Sequence, residues 1–279
     1  MRISLGARVT GTPTTATNAD VTPMGQGAAT ETARRAIGDA IRAMSTRVTM
    51  PPACLLGVQD VAGVIGDLYD TDWHATAFGL DGYGAARDGR GTVQAVTLHW
   101  AYGDDDPTGH AARCAQRVAE IACDARDASG NDDASAIAYA HDAIASGCAY
   151  ATGRPDLHEA YDALCGGSAV CSGISKALMS VALRMGVPAI GVTSERMDHQ
   201  WCMVMIGDAW YHVDVTYDIP QGAGEPASHD NLLRSDAAMT LTGHFAWHRA
   251  RFCDTRDDAW HPAGAQGDTP RAPYDWLLA

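Results

Sequence analysis

Apolar residues first recur at helical spacing. Ala33, Ile37, Ile41 and Met44 stand three or four apart within residues 29–45, the pattern of a helix with one buried face. Val61, Val64, Ile65 and Leu68 form a second such stripe. Over 74–101 the period shortens, with Val96, Leu98 and Trp100 alternating, and the segment reads as strands that end at Gly103-Asp104-Asp105-Asp106-Pro107. A third helix is predicted from about 109 to 127, with Cys114, Val118, Ile121 and Ala125 on one side. Residues 1–28, rich in Thr, Ala, Gly, Asn and Pro without periodicity, read as a mobile tail. The polar run Ser129 to Asp133 reads as a linker, so a boundary is expected there, between an N-terminal α+β region (29–130) and a second domain (131–279).

In the second half, 134–146 is predicted helical, with Ile137, His141 and Ile144 aligned. The loop Cys165-Gly166-Gly167-Ser168 precedes a helix starting near Ala169 to Ser172, whose core stripe is Ile174, Leu178, Val181 and Met185. Gly186 just past its end and Pro188 beyond are stop signals. Strands are expected at 188–193, 199–206 and 209–216. The last two are joined by Gly207-Asp208, a two-residue hairpin turn.

Composition narrows the partners more than the fold. The 279 residues carry a net charge of −14, which argues against a nucleic-acid partner and leaves a peptide or protein amide substrate open. No apolar run reaches the roughly 18 residues of a membrane helix, and the N-terminus lacks a signal peptide's apolar core, so the expected location is cytoplasmic. Of eight cysteines, none form a CxxC pair, which removes the usual zinc and thioredoxin patterns. No cofactor or metal is implied, and the sequence is silent on oligomeric state.

One cysteine is distinguished by its place. Cys171 falls at the first turn of a predicted helix, behind two glycines. Unpaired N–H groups and the partial positive charge there favour a thiolate and can hold an oxyanion. The hairpin supplies the rest. With Gly207-Asp208 as the turn, Ile206 pairs with Ala209, and counting back sets Trp201 opposite Asp214 and His199 opposite Thr216. Side chains alternate along a strand, so these four share one face, with His199 and Asp214 diagonal neighbours. A carboxylate beside an imidazole fixes its tautomer and stabilises the imidazolium.

The stretch Gly167-Ser168-Ala169-Val170-Cys171-Ser172-Gly173 resembles the nucleophile motif of the transglutaminase-like superfamily. His199-Gln200-Trp201 resembles its His-x-Trp strand, and Trp210 to Asp218 its Trp-Tyr-x-Val-Asp-x-Thr-Trp-Asp strand, in the same order. Ile137–Tyr150, Ala160–Leu164 and Asn231–Asp236 with His244 and Trp247 resemble flanking segments, so the likeness spans about 134–250. It implies an α+β fold with a papain-like transglutaminase core, a Cys-bearing helix packed on an antiparallel sheet, here with an N-terminal α+β extension. It also implies acyl chemistry at a Cys171-His199-Asp214 triad. Trp201, Tyr150, Ser168 and Ser172 are the residues expected near substrate. Gln200, Cys202 and Tyr217 depart from the common pattern without removing a catalytic group.

A thiol-dependent amide hydrolase of the cysteine-peptidase kind is the favoured function. Protein-glutamine transglutaminase activity, a peptide- or glycan-binding module and a redox-sensing thiol are the alternatives. Trp201 is expected to pack or to wall the site, His212 to pack or pair, and Asp218 to shape a turn. His244 and His248, four apart, are expected on a helix surface rather than as ligands, since no metalloprotease Glu follows the first.

Overall fold

The computed structural model describes residues 6–9 and 24–247, except 103–105, 131, 155, 221 and 223–224. The fold mixes helices with largely antiparallel sheets. It divides into two compact units, residues 2–110 and the chain from Ala111 on.

In the first unit, β1 (Gly6–Val9) leads to α1 (Gln26–Arg42), β2 (Arg47–Thr49), α2 (Val58–Thr71), α3 (Trp73–Ala77), β3 (Leu80–Arg87) and β4 (Val93–Trp100). The strands form one sheet in the order β1-β3-β4-β2. The stripes expected on α1 and α2 are buried there: Ala33, Ile37 and Ile41 on one, Val61, Val64, Ile65 and Leu68 on the other. Two details differ from the pattern reading. Gly6–Val9, inside the segment read as a tail, pairs parallel with β3. Residues 74–77, read as the start of a strand, belong to α3 instead, because Asp72 caps it by accepting from the His74 N–H at 3.1 Å.

The second unit runs α4 (Pro107–Ser129), α5 (Asp133–Gly147), β5 (Ala149–Tyr150), α6 (Ala160–Leu164), β6 (Ser168–Ala169), α7 (Cys171–Arg184), β7 (Ala189–Ser194), β8 (His199–Ile206), β9 (Ala209–Val213), α8 (Val215–Asp218) and α9 (Asp236–Leu241). Helix α4 straddles the division and lies mostly in this unit. At the centre is α7, buried on every side from Gly173 to Ala182 and packed against α5, α6 and the sheet β7-β8-β9. The single stripe expected from sequence understates this: the remaining faces, which carry Ser175, Ala177, Ser180 and Ala182 together with Met179 and the paired Lys176, are covered as well. The helix ends where Gly186 enters the left-handed region at φ 83, as its place after the last turn predicts.

The hairpin keeps the register counted from its turn, with Ile206 opposite Ala209 and Cys202 opposite Val213. The strand expected over 209–216 stops at Val213, however. Asp214 turns its carboxylate to the following backbone, accepting from Thr216 N–H at 2.9 Å, and so becomes the cap of α8.

Candidate functional site

Cys171 is placed by short-range devices. Gly167, at φ 70, turns the chain so that β6 pairs parallel with β5. The Val170 N–H then bonds to Leu157 O at 2.9 Å, and α7 begins one residue later. Val170 offers no side chain to cap the helix, which leaves the first-turn amides without that competitor. Gly173 allows the first turn to lie against α6: a Cβ there would come within 2.9 Å of both Ala169 Cβ and Glu159 O. A buried ion pair, Lys176 Nζ to Glu159 Oε1 at 2.5 Å, fastens the next turn of α7 to the same segment.

His199 lies at the start of β8 and reaches two partners. Its Nε2 is 2.6 Å from Asp214 Oδ2, and the Cys171 side chain is near enough to act on the charge of its ring. Burial by itself would push the His199 pKa down, but the bond to Asp214 and the influence of Cys171 more than reverse this, to about 9. Burial likewise opposes the charge on Asp214, which is 1% exposed, yet bonds from His199 and His244 hold its carboxyl below the ordinary range. Tyr217 stacks on the imidazole with ring centroids 4.8 Å apart, and Trp201 stacks at 5.6 Å.

A cavity of about 980 Å³ opens beside this chain, with His199, Tyr150, Tyr217, Thr152, Met197 and Asp198 in its wall. Tyr150 and Tyr217 are each 47% exposed and offer aromatic faces to an occupant. Burial raises the Tyr150 hydroxyl pKa, and the charges of Cys171 and Asp198 add to the rise.

Of the other residues expected near substrate, Ser168 (β6) and Ser172 (first turn of α7) are half-buried beside Cys171 but outside the cavity wall. Trp201 offers substrate no surface. It is 1% exposed and packs with Val192, Met203 and Met239, because its face of the sheet is covered by the chain's return through α9. Its indole N–H donates to His212 Nδ1 at 2.9 Å, and His212 Nε2 bonds Asp236 at 2.9 Å, so His212 pairs rather than lining the site. Asp218 does more than shape a turn: it is buried, accepting from the Asn231 N–H and side-chain amide and bonding His141.

The clearest departure is His244, expected on a helix surface. It is fully buried, beyond the end of α9, with Nε2 2.8 Å from Asp214 Oδ2. No spacing rule connects residues thirty apart across an irregular return, and only the likeness of this tail to a family segment marked it. His248 lies outside the described residues. Tyr217 was visible as a variation in the strand motif, but its stacking role depends on α8 forming.

Several other thiols are held in settings that oppose ionisation. Burial pushes those of Cys114 and Cys202 strongly up, and that of Cys148 to about 11. Seven cysteines are free among the described residues, and Cys253 lies outside them. Within the unit from Ala111 on, two clusters bring nitrogen and carboxylate atoms within 4.8 Å of one another, His141-Asp142-His229 and His199-Asp214-His244. In both, hydrogen bonds of 2.6–2.9 Å already join the donor atoms. No helix among the described residues is long and apolar enough to cross a membrane.

Residues 103–215 match the family description "Transglutaminase-like superfamily". Two solved structures show local likeness. One is a protein from Cytophaga hutchinsonii assigned by name to the cysteine proteases, with 18% identity over 37% of this chain and 39% of that one, at a TM-score of 0.30. The other is a TGase, with 12% identity over 52% of this chain and 48% of that one, at 0.34. The chain thus spans less than half of each, and scores this low establish no shared overall architecture. No curated protein matches the chain.

Proposed function

We propose that this chain, which over residues 103–215 is transglutaminase-like, is a thiol-dependent amide hydrolase. The observation that carries the proposal is the His199 imidazole in the wall of an open cavity, 2.6 Å from the buried Asp214 carboxylate and near enough to Cys171 for the thiol to raise its pKa.

In this reading His199 Nδ1 takes the proton of the Cys171 thiol, and Sγ attacks the amide carbonyl carbon. The Cys171 main-chain N–H, uncapped at the start of α7, donates to the oxyanion, with the Tyr150 hydroxyl as candidate second donor. Collapse breaks the C–N bond, the imidazolium returns its proton to the leaving amine, and a thioester remains on Cys171. Water, deprotonated by His199, then releases a carboxylic acid and free thiol. An amine in its place gives a new amide. Asp214 stays ionised throughout and holds the ring by Nε2.

Iodoacetamide labelling across pH, read by mass spectrometry at each cysteine, tests the pair. Cys171 is expected to react fastest and to slow in His199→Ala. Amide peptides with and without added amine then separate hydrolysis from transfer. A Cys171 indifferent to His199, with no turnover of any amide, defeats the proposal.

A further inference from the structure

We infer that His244 is a positioning residue of this site, acting through Asp214, so that one carboxylate serves two imidazoles. The inference rests on the functional reading above and deepens it.

Asp214 is surrounded by donors. Oδ2 meets His199 Nε2 at 2.6 Å and His244 Nε2 at 2.8 Å, while Oδ1 meets the Thr216 N–H at 2.9 Å and the Tyr217 N–H at 3.4 Å. An ionised carboxylate has about four acceptor positions, so none is left over and the group cannot rotate without breaking a bond. Because Asp214 only accepts, His244 Nε2 must donate. The second ring is itself fixed. Its Nδ1 lies 3.2 Å from Thr242 Oγ1, its main-chain N–H bonds Met239 O at 3.0 Å, and Trp201 meets it edge-on with centroids 5.0 Å apart. A ring held at both nitrogens and fully buried, yet exposing no atom to the cavity wall, reaches the site through its neighbours: the carboxylate it bonds, and the Tyr217 ring, whose centroid is 4.7 Å away.

Two consequences follow. His244 locks the carboxylate plane that orients His199. It also takes a share of the negative charge on Oδ2, which tempers how strongly Asp214 holds the His199 imidazolium. Removing the donor should therefore loosen the geometry and raise the pH at which His199 loses its proton. The sign is the same whether His244 is neutral or charged, since either form draws on the same oxygen. The other titratable groups near Asp214 and His199 are Cys171 on α7, Tyr150 on β5, Cys202 on β8, His212 on β9 with its partner Asp236, and Tyr217 on α8. None is itself replaced by substitution at 244, although His212 loses the lowering influence of His244 and Tyr217 loses a ring neighbour.

The test compares His244→Phe, which keeps a ring and loses the donor, with His244→Gln, whose amide reaches the Nε2 position. In wild type the alkaline limb of amide turnover is expected near the His199 value of about 9. In His244→Phe it should move up by roughly half a pH unit or more, with plateau turnover about tenfold lower, since charge-assisted bonds and precise orientation of this kind carry effects of that order. His244→Gln should restore both. An unmoved limb in a folded His244→Phe, or identical behaviour of Phe and Gln, overturns the inference. Should the Phe variant fail to fold, His244→Asn replaces it: its amide reaches only the Nδ1 position, and equality with Gln is again refuting. The His199 ring titration, followed by NMR, reads the same shift without turnover. A chain inactive on every amide therefore overturns the hydrolase reading, while this titration still decides the role of His244.

Discussion

Lys176 and Glu159 offer a measurable account of what holds the nucleophile's helix. Both side chains are almost wholly buried, with Nζ and Oε1 2.5 Å apart. At an effective dielectric near 20, Coulomb attraction at that distance is roughly 6–7 kcal/mol. Desolvating two ions costs several kcal/mol each, so the intact pair contributes little net stability. Removing Lys176 is a different matter, because the buried Glu159 carboxylate then loses its nearest charge and keeps the His158 ring at 3.5 Å. Lys176→Met is expected to destabilise by about 3–5 kcal/mol, and the Lys176→Met/Glu159→Leu double variant to regain most of that loss. With Glu159→Leu alone as the third variant, these and wild type form a double-mutant cycle, measured by chemical denaturation. For a unit of this size the single substitution should lower the melting temperature by about 10 °C. A cost below about 1 kcal/mol, or two substitutions whose effects simply add, would show that the pair does not fasten α7 as argued.

Three further outcomes can be checked alongside it. Asp214→Asn removes the charge opposite His199, whose pKa should fall from about 9 towards or below the ordinary histidine value; amide turnover should drop by about 10³-fold or more, read from pH–rate profiles. Gly173→Ala puts a methyl within 2.9 Å of backbone at Glu159 that cannot rotate away; overpacking should outweigh the gain in helix propensity and cost about 1–2 kcal/mol, with slower labelling of Cys171. His141, fully buried, would have its pKa lowered by burial, but bonds to Asp142 and Asp218 raise it to about 9. Because the folded value exceeds the unfolded one of about 6.5, its contribution is complete below about pH 6.5 and lost as pH rises through about 9, on the order of 3 kcal/mol in all. Melting temperature should fall across that window in wild type and fall less in His141→Gln; equal slopes would exclude the mechanism.

Much of this protein was legible from residue order alone, because the relevant forces are local. Strand alternation and a two-residue turn set the pairing of Ile206 with Ala209, and with it the neighbourhood of His199 and Asp214. Glycine after a helix stripe marked where α7 stops, and apolar spacing gave α1, α2, α4 and α5 to within a few residues. What sequence could not decide were contacts made by chain segments returning from elsewhere. Asp214 was readable as a strand residue. That it instead caps α8 depends on which of its acceptors the neighbouring backbone claims, a choice made only when Asn231 O takes the Asp214 N–H and the return loop closes. The arrival of Cys171 at His199 depends on α7 being enclosed by α5, α6 and the sheet. That Trp201 packs rather than walls the site, and that His244 is buried rather than on a helix surface, have the same reason: the segment through α9 covers one face of the sheet and carries a second imidazole to a carboxylate thirty residues away. Periodicity records which side of an element is apolar; it does not record which element will cover it, and that is where tertiary packing assigned the remaining roles.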